Sequence, residues 1–209
     1  MEFILIIVAY LLGSIPTAVW IGKKFYQIDV REFGSGNSGA TNTFRVLGKK
    51  AGIPVLIIDI VKGMLAVSLA YFTNFNHHSN DFISLQLGLG VAALLGHIFP
   101  VLAGFRGGKG VATILGIVIC ILPTACALAL IVFLVVLLTS KIVSLSSMLA
   151  GVSYPLILCF LLNETNPILI SFSISISLLL IITHRKNIKR LLNKQESKVN
   201  LFKREQSVE

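Results

Sequence analysis

The chain has 209 residues, of which 55% are apolar and 13% charged, with 18 lysines and arginines against nine acidic residues for a net charge of +9. A water-soluble domain of this length needs a charged surface that this composition cannot supply, so the chain belongs in a bilayer. The positive charge does not point to nucleic acid, because the basic residues border apolar runs instead of forming one exposed face; anionic lipid or anionic substrates suit them better.

The first apolar run, 3–22, follows Met1-Glu2-Phe3 with no basic leader and no small-residue cleavage site after it, so it reads as a retained span. Further spans of roughly 20 residues are predicted near 53–73, 83–103, 142–162 and 166–183. The stretch 111–139 is too long for one crossing, and Pro123 near its middle makes it one kinked helix or two short helices joined by a tight turn. Charge chooses between these. Lys23, Lys24, Arg31, Arg45, Lys49 and Lys50 follow the first span, whereas loops 73–82 and 163–167 hold no lysine or arginine and should be external. A hairpin over 111–139 then puts Arg106, Lys109, Lys141 and the eight basic residues after His184 on the cytoplasmic side; a single helix would leave the basic tail outside. The expected fold is therefore all-α and polytopic, with seven transmembrane helices, the amino terminus outside and the carboxyl terminus cytoplasmic.

Residues 1–209 read as a single domain without internal repeats, ending from about 193 in a polar cytoplasmic tail expected to be a fraying interfacial helix. Ser171, Ser173, Ser175 and Ser177 alternate as in a strand, but an isolated strand cannot satisfy its backbone in lipid, so helix is predicted. Ala92 and Gly96 would let helices approach closely. Cys120, Cys126 and Cys159 lie inside apolar runs with no CxxC spacing or nearby histidine and read as packing residues. No metal and no cofactor is predicted. His77 and His78, beside Asn76 and Ser79, read as solvated residues of an external loop.

Three polar segments carry the chemistry. The first, Gly34-Ser35-Gly36-Asn37-Ser38-Gly39-Ala40-Thr41-Asn42-Thr43-Phe44-Arg45, contains GxGxxG but lacks the βαβ surroundings of a dinucleotide site. Its glycines expose backbone N–H groups, Ser35, Ser38 and Thr41 add hydroxyls, and Arg45 adds a planar cation, all within one turn-forming stretch that suits phosphate or carboxylate. Gly36, Asn37, Gly39, Thr41 and Asn42 are accordingly predicted to bind substrate. The second segment runs from Gly96-His97 to Phe105-Arg106-Gly107-Gly108-Lys109-Gly110-Val111. It departs from a nucleotide-binding P-loop in spacing and by Gly110 at the magnesium position. Its glycines before a helix at 111 should present free donors, with Lys109 holding a phosphate. His97, near the cytoplasmic end of its span, joins the predicted substrate-binding set. Asp59 and Lys62, at i,i+3, can neutralise one another. In the third segment, His184-Arg185-Lys186-Asn187-Ile188-Lys189-Arg190-Leu191, a helix puts His184, Asn187 and Leu191 on one face, while Arg185, Lys186 and Lys189 meet lipid headgroups.

Together these segments resemble the PlsY family of bacterial membrane acyl-phosphate:glycerol-3-phosphate acyltransferases: GSGNxGATN…R at Gly34 to Arg45, GHxFP…FKGGKGVAT at Gly96 to Thr113, and HRxNIxRL at His184 to Leu191. The resemblance implies a seven-helix fold and transfer of a fatty acyl group from acyl phosphate to the sn-1 hydroxyl of glycerol 3-phosphate, giving 1-acylglycerol 3-phosphate. It implies Ser35, Arg45, Lys109, His184 and Asn187 as catalytic and Gly107, Gly108 and Gly110 around acyl phosphate. Arg106 stands where the family has lysine, and Lys194 where it has glycine before the terminal glutamate, Glu196 here.

The residues make that reaction sensible. An acyl phosphate is a reactive mixed anhydride, so a protein has chiefly to align two anions, neutralise them and stabilise the developing oxyanion. No Ser-His-Asp or Cys-His arrangement is evident, which favours direct transfer, with His184, His97 or a donor phosphate oxygen as proton acceptor. The alternatives in other classes are an organophosphate transporter and a noncatalytic lipid-binding membrane protein.

Overall fold

The computed structural model describes residues 1–199, and all regular structure among them is helical. Two compact units are distinguished, Met1–Cys126 and the residues from Ala127 onward.

In the first unit the predicted opening span is broken. Helix α1 runs Glu2–Gly13 and α2 Thr17–Tyr26. Pro16 has no N–H to continue the ladder, and at the break the Ile15 carbonyl accepts from Thr17 N–H at 3.0 Å and from Lys62 Nζ at 3.1 Å. A short 3₁₀ turn, Val30–Glu32, leads through the glycine loop into α3, Ala40–Leu47, so the second half of that loop is a helix and not the turn expected from its composition. Gly39, extended, caps α3, and Gly48 at φ +78 separates it from α4, Lys49–Ser68. Helix α5 spans Asn80–Ile98, and its first turn is closed by the Ser79 hydroxyl accepting from Phe82 N–H. Helix α6, Val111–Ile121, stops before Pro123, where α7, Pro123–Ser140, begins, so the break expected in 111–139 is present.

Close approach replaces the hydrophobic drive that lipid removes. A methyl on Gly96 would meet the Tyr10 carbonyl of α1, and one on Gly116 the Ile60 carbonyl of α4. A core rich in small side chains, including Ala9, Ala66, Ala70, Ala92 and Ala93 around Phe82 and Leu89, fills the space between α1, α4 and α5. His77, exposed, stands edge-on to Tyr71 at 4.9 Å between ring centroids and also packs against Phe82, so it closes the 73–82 loop and is more than a solvated residue.

The second unit contains α8, Val143–Leu156, continued by a π-helical turn Ile157–Leu161, then α9, Pro167–Thr183, and α10, Arg185–Leu192, bent 59° from it. The serines of α9 lie on a helix as predicted; Ser173 and Ser175 donate back to the carbonyls of Ile170 and Ser171, which satisfies their hydroxyls in lipid. Residues 193–199 are not helical, which corrects the interfacial helix expected there, and the rest of that tail lies outside the described residues.

Five helical runs are long and apolar enough to cross a membrane, 2–26, 49–72, 80–103, 123–140 and 143–161, and a sixth if α9 and α10 count together. Helix α6, with 11 residues, rises only about 16 Å, half a hydrocarbon core.

Candidate active site

The first two polar segments meet within the amino-terminal unit. Asp29 opens the arrangement: its carboxylate accepts from Arg31 Nε at 2.9 Å and from a terminal guanidinium nitrogen at 2.7 Å. The Arg31 guanidinium, hydrogen-bonded and charged beside it, holds the Asp29 carboxyl well below the usual carboxylate range despite partial burial. Thus fixed, Arg31 donates to the carbonyls of Ala103 at 2.7 Å and Arg106 at 3.3 Å, tying the 29–33 turn to the 103–110 loop. Asn37 Nδ2 adds a longer bond to the Gly107 carbonyl, 3.4 Å. The sequence reading missed this clamp, although an aspartate two residues before an arginine, next to a short turn, is the local signal for it.

Inside the first loop, Asn42 is the organiser. It is 2% exposed; its Oδ1 accepts from Ser35 N–H at 2.8 Å and from the Ser35 hydroxyl at 3.1 Å, and its Nδ2 donates to the carbonyls of Val30 and Phe33. Gly34 leaves the room for this side chain, since a methyl there would run into Asn42 Oδ1. Asn37 Oδ1 accepts from Gly39 N–H, an Asx turn that sets the start of α3. Thr41, on the first turn of α3, is exposed, as is Gly36, held at φ +72. Arg45 leaves the last turn of α3 exposed, with no ion pair among the described residues. The loop's own polar groups therefore fix its shape and leave Arg45 at the surface.

The second loop is built against the end of α5. Gly107 and Gly108 donate their amide hydrogens to the carbonyls of Ile98 and His97, at 3.2 and 3.1 Å. They are not the free donors expected of this block; their absent side chains matter instead, because a methyl on Gly107 would strike the His97 carbonyl and one on Gly108 the His97 ring. Lys109 is half-buried, and Gly110, at φ +88 against Leu94, caps α6, whose first-turn amides have no intrahelical acceptor. His97 itself is 6% exposed. Behind both loops lies the Asp59–Lys62 pair, 2.8 Å apart and almost fully buried, with the Thr17 hydroxyl donating to Asp59 at 3.3 Å. An open cleft of about 510 Å³ lies beside the Arg31 clamp, lined by Trp20, Lys23, Arg31, Leu102, Gly104 and Arg106, so cations and apolar side chains share one rim.

The third segment is organised within the second unit. His184 stands between α9 and α10, 2% exposed, its Nδ1 within 2.8 Å of the Leu180 carbonyl, which in a neutral ring assigns the proton to that nitrogen. Asn187, 3% exposed, lies in the first turn of α10, while Arg185, Lys186 and Lys189 are exposed as expected for a headgroup-facing side. The unexpected hub is Glu196. One of its oxygens accepts from Asn187 Nδ2 at 2.7 Å and from the Ser144 hydroxyl at 2.9 Å, the other from Arg190 Nε at 2.7 Å. Partial burial pushes its pKa up, but these three donors and the Arg190 charge more than offset that and leave it lowered. Lys194, where the family has glycine, sits at φ +55, the left-handed region that explains the glycine.

Comparison with known proteins agrees with the sequence resemblance. A glycerol-3-phosphate acyltransferase of Enterococcus faecalis is 46% identical over 204 residues, covering 94% of this chain and 91% of the relative. One of Listeria monocytogenes is 48% identical over 198 residues, covering 94% and 96%. The crystal structure of PlsY (YgiH), an integral membrane glycerol 3-phosphate acyltransferase, in its glycerol 3-phosphate form superposes with a TM-score of 0.85 at 39% identity, covering 95% of this chain and 96% of that one. Its lysophosphatidic acid form gives 0.82 at 38% identity. The sequence model of the glycerol-3-phosphate acyltransferase family matches residues 3–194, and with these relatives it establishes that the chain belongs to that family.

Proposed function

We propose that the protein transfers a fatty acyl group from acyl phosphate to the sn-1 hydroxyl of glycerol 3-phosphate, working as one domain of seven transmembrane helices with its site toward the cytoplasm. The observation that carries this reading is the joining of the two glycine-rich basic loops through Arg31 and Asn37, which brings the backbones bearing Arg45 and Lys109 into one region. Two phosphate-bearing substrates need such paired countercharges. Ser35, Arg45, Lys109, His184 and Asn187 take the catalytic roles. Gly36, Asn37, Gly39, Thr41 and Gly110 line the substrates, while Asn42, Gly107 and Gly108 shape the loops from behind.

In the reaction the hydroxyl oxygen attacks the acyl carbonyl carbon, a C–O bond forms, the anhydride C–O bond breaks, and inorganic phosphate departs. The hydroxyl proton leaves with the phosphate or passes to a base. Cations beside the phosphates lower the charge repulsion between the substrates and favour the departing anion.

The test is purified protein in detergent given acyl phosphate and glycerol 3-phosphate, with acyl-CoA and acyl-carrier protein as alternative donors. Equal amounts of 1-acylglycerol 3-phosphate and phosphate, formed only with acyl phosphate, are expected. Product from another donor alone would overturn the donor assignment, and glycerol 3-phosphate uptake into vesicles without acylated product would replace the enzyme by a transporter. Labelling of single cysteines placed at 78 and 198, from outside and inside respectively, tests the topology.

A further inference from the structure

His97 presents a problem of satisfaction. Its Nδ1 is buried and accepts or donates no hydrogen bond, and the nearest carboxylate oxygen, on Asp59, stands at 3.8 Å, beyond hydrogen-bond range. A buried imidazole nitrogen without a partner is costly. Both groups line a small, partly open space of about 10 Å³, shared with Thr17, Ser38, Lys62 and Pro100, large enough for one water molecule and furnished with several polar partners. A cation would be repelled there by Lys62, 2.8 Å from the same carboxylate.

We propose that this space holds one ordered water that bridges His97 Nδ1 to the Asp59 carboxylate, and that His97, so oriented, is a positioning residue for the Lys109 loop. The ring's opposite edge packs on Gly108, where a methyl would collide with Nε2, and the His97 carbonyl accepts the Gly108 amide. Turning the ring would therefore move Gly108 and, with it, its neighbour Lys109. Lys62 joins the same network to the α1–α2 break through Ile15, so the strut is anchored in the helices and not in the loop it supports. The inference rests on the acyltransferase reading for its kinetic consequence but not for the water.

Two measurements test it. A crystal structure of the protein at a resolution that orders internal water should show density about 3 Å from both His97 Nδ1 and the Asp59 carboxylate. An empty space, direct Asp59–His97 contact or a metal ion there would overturn the bridge. In the acyl-transfer assay, His97→Phe fills the volume without Nδ1 and should raise KM for one of the two phosphate-bearing substrates, the one held at the Lys109 loop, about tenfold or more, with KM for the other within about twofold. His97→Asn, which restores a polar group near the Nδ1 position, should recover most of that loss. Wild-type kinetics in His97→Phe, or equal damage by both folded variants, would overturn the positioning role. Wild-type protein inactive with acyl phosphate would instead count against the proposed reaction, and the crystallographic result would still decide the bridge.

Discussion

The two polar regions of the chain are built on different plans. In the loops around Ser35 and Gly108, side chains mostly bond to backbone: Asn42 to Val30 and Phe33, Arg31 to Ala103 and Arg106, with glycine amides on the end of α5. In the segment after His184, a single carboxylate, Glu196, gathers three side chains. Backbone anchoring fixes the first pair of loops with Arg45 exposed at their surface; a carboxylate hub ties a segment together through charge, and makes it sensitive to acid.

The largest effect that separates the plans is expected beneath the first. Lys62→Met leaves Asp59 as an uncompensated buried charge and removes one of the two donors to the Ile15 carbonyl, so stability should fall by about 3–5 kcal/mol. Thermal unfolding in detergent measures it, and an unchanged midpoint would show that the pair is not what holds the α1–α2 break.

How much of this was readable beforehand differs between the regions for a physical reason. Hydropathy and turn chemistry are local, so the all-helical class, most of the long apolar helices, the break before Pro123 and the three polar segments followed from the sequence. Partners far apart in sequence are not local. Composition marks Asn42 as a polar residue of a glycine loop but does not reveal that both ends of its amide are taken by the loop itself. The glycines at 107 and 108 announced bare backbone, whereas their packing on His97 depends on α5. Pro16 alone was too weak a signal to divide an otherwise apolar run, because the compensating Lys62 lies 47 residues away.

Next in size, Asn42→Ala removes four hydrogen bonds made by a side chain that is 2% exposed; a loss of about 2–3 kcal/mol is expected, with kcat/KM falling because Ser35 loses its anchor. Full activity in a destabilised Asn42→Ala protein would mean that Ser35 needs no such support. The acid response then sharpens the contrast. Glu196 has a lowered folded-state pKa, so its contribution is complete above about pH 4.5 and is lost as pH falls through the lower folded value. Amide exchange at 187–196 should rise across that window, and in Glu196→Gln it should be high already and insensitive to pH there; identical profiles would remove Glu196 as the hub. The smallest change is a gain: Lys194→Gly relieves the left-handed backbone at φ +55 and should stabilise by about 0.5–1 kcal/mol.

The central claim is that a cation held by each of two mutually braced loops binds the reacting phosphates. Steady-state kinetics of purified Lys109→Ala and Arg45→Ala, beside wild type in the same detergent, test it most directly. Each variant should insert and unfold normally yet lose about 3–5 kcal/mol in kcat/KM, since a phosphate is left without its countercharge. Wild-type turnover in either variant would contradict the account.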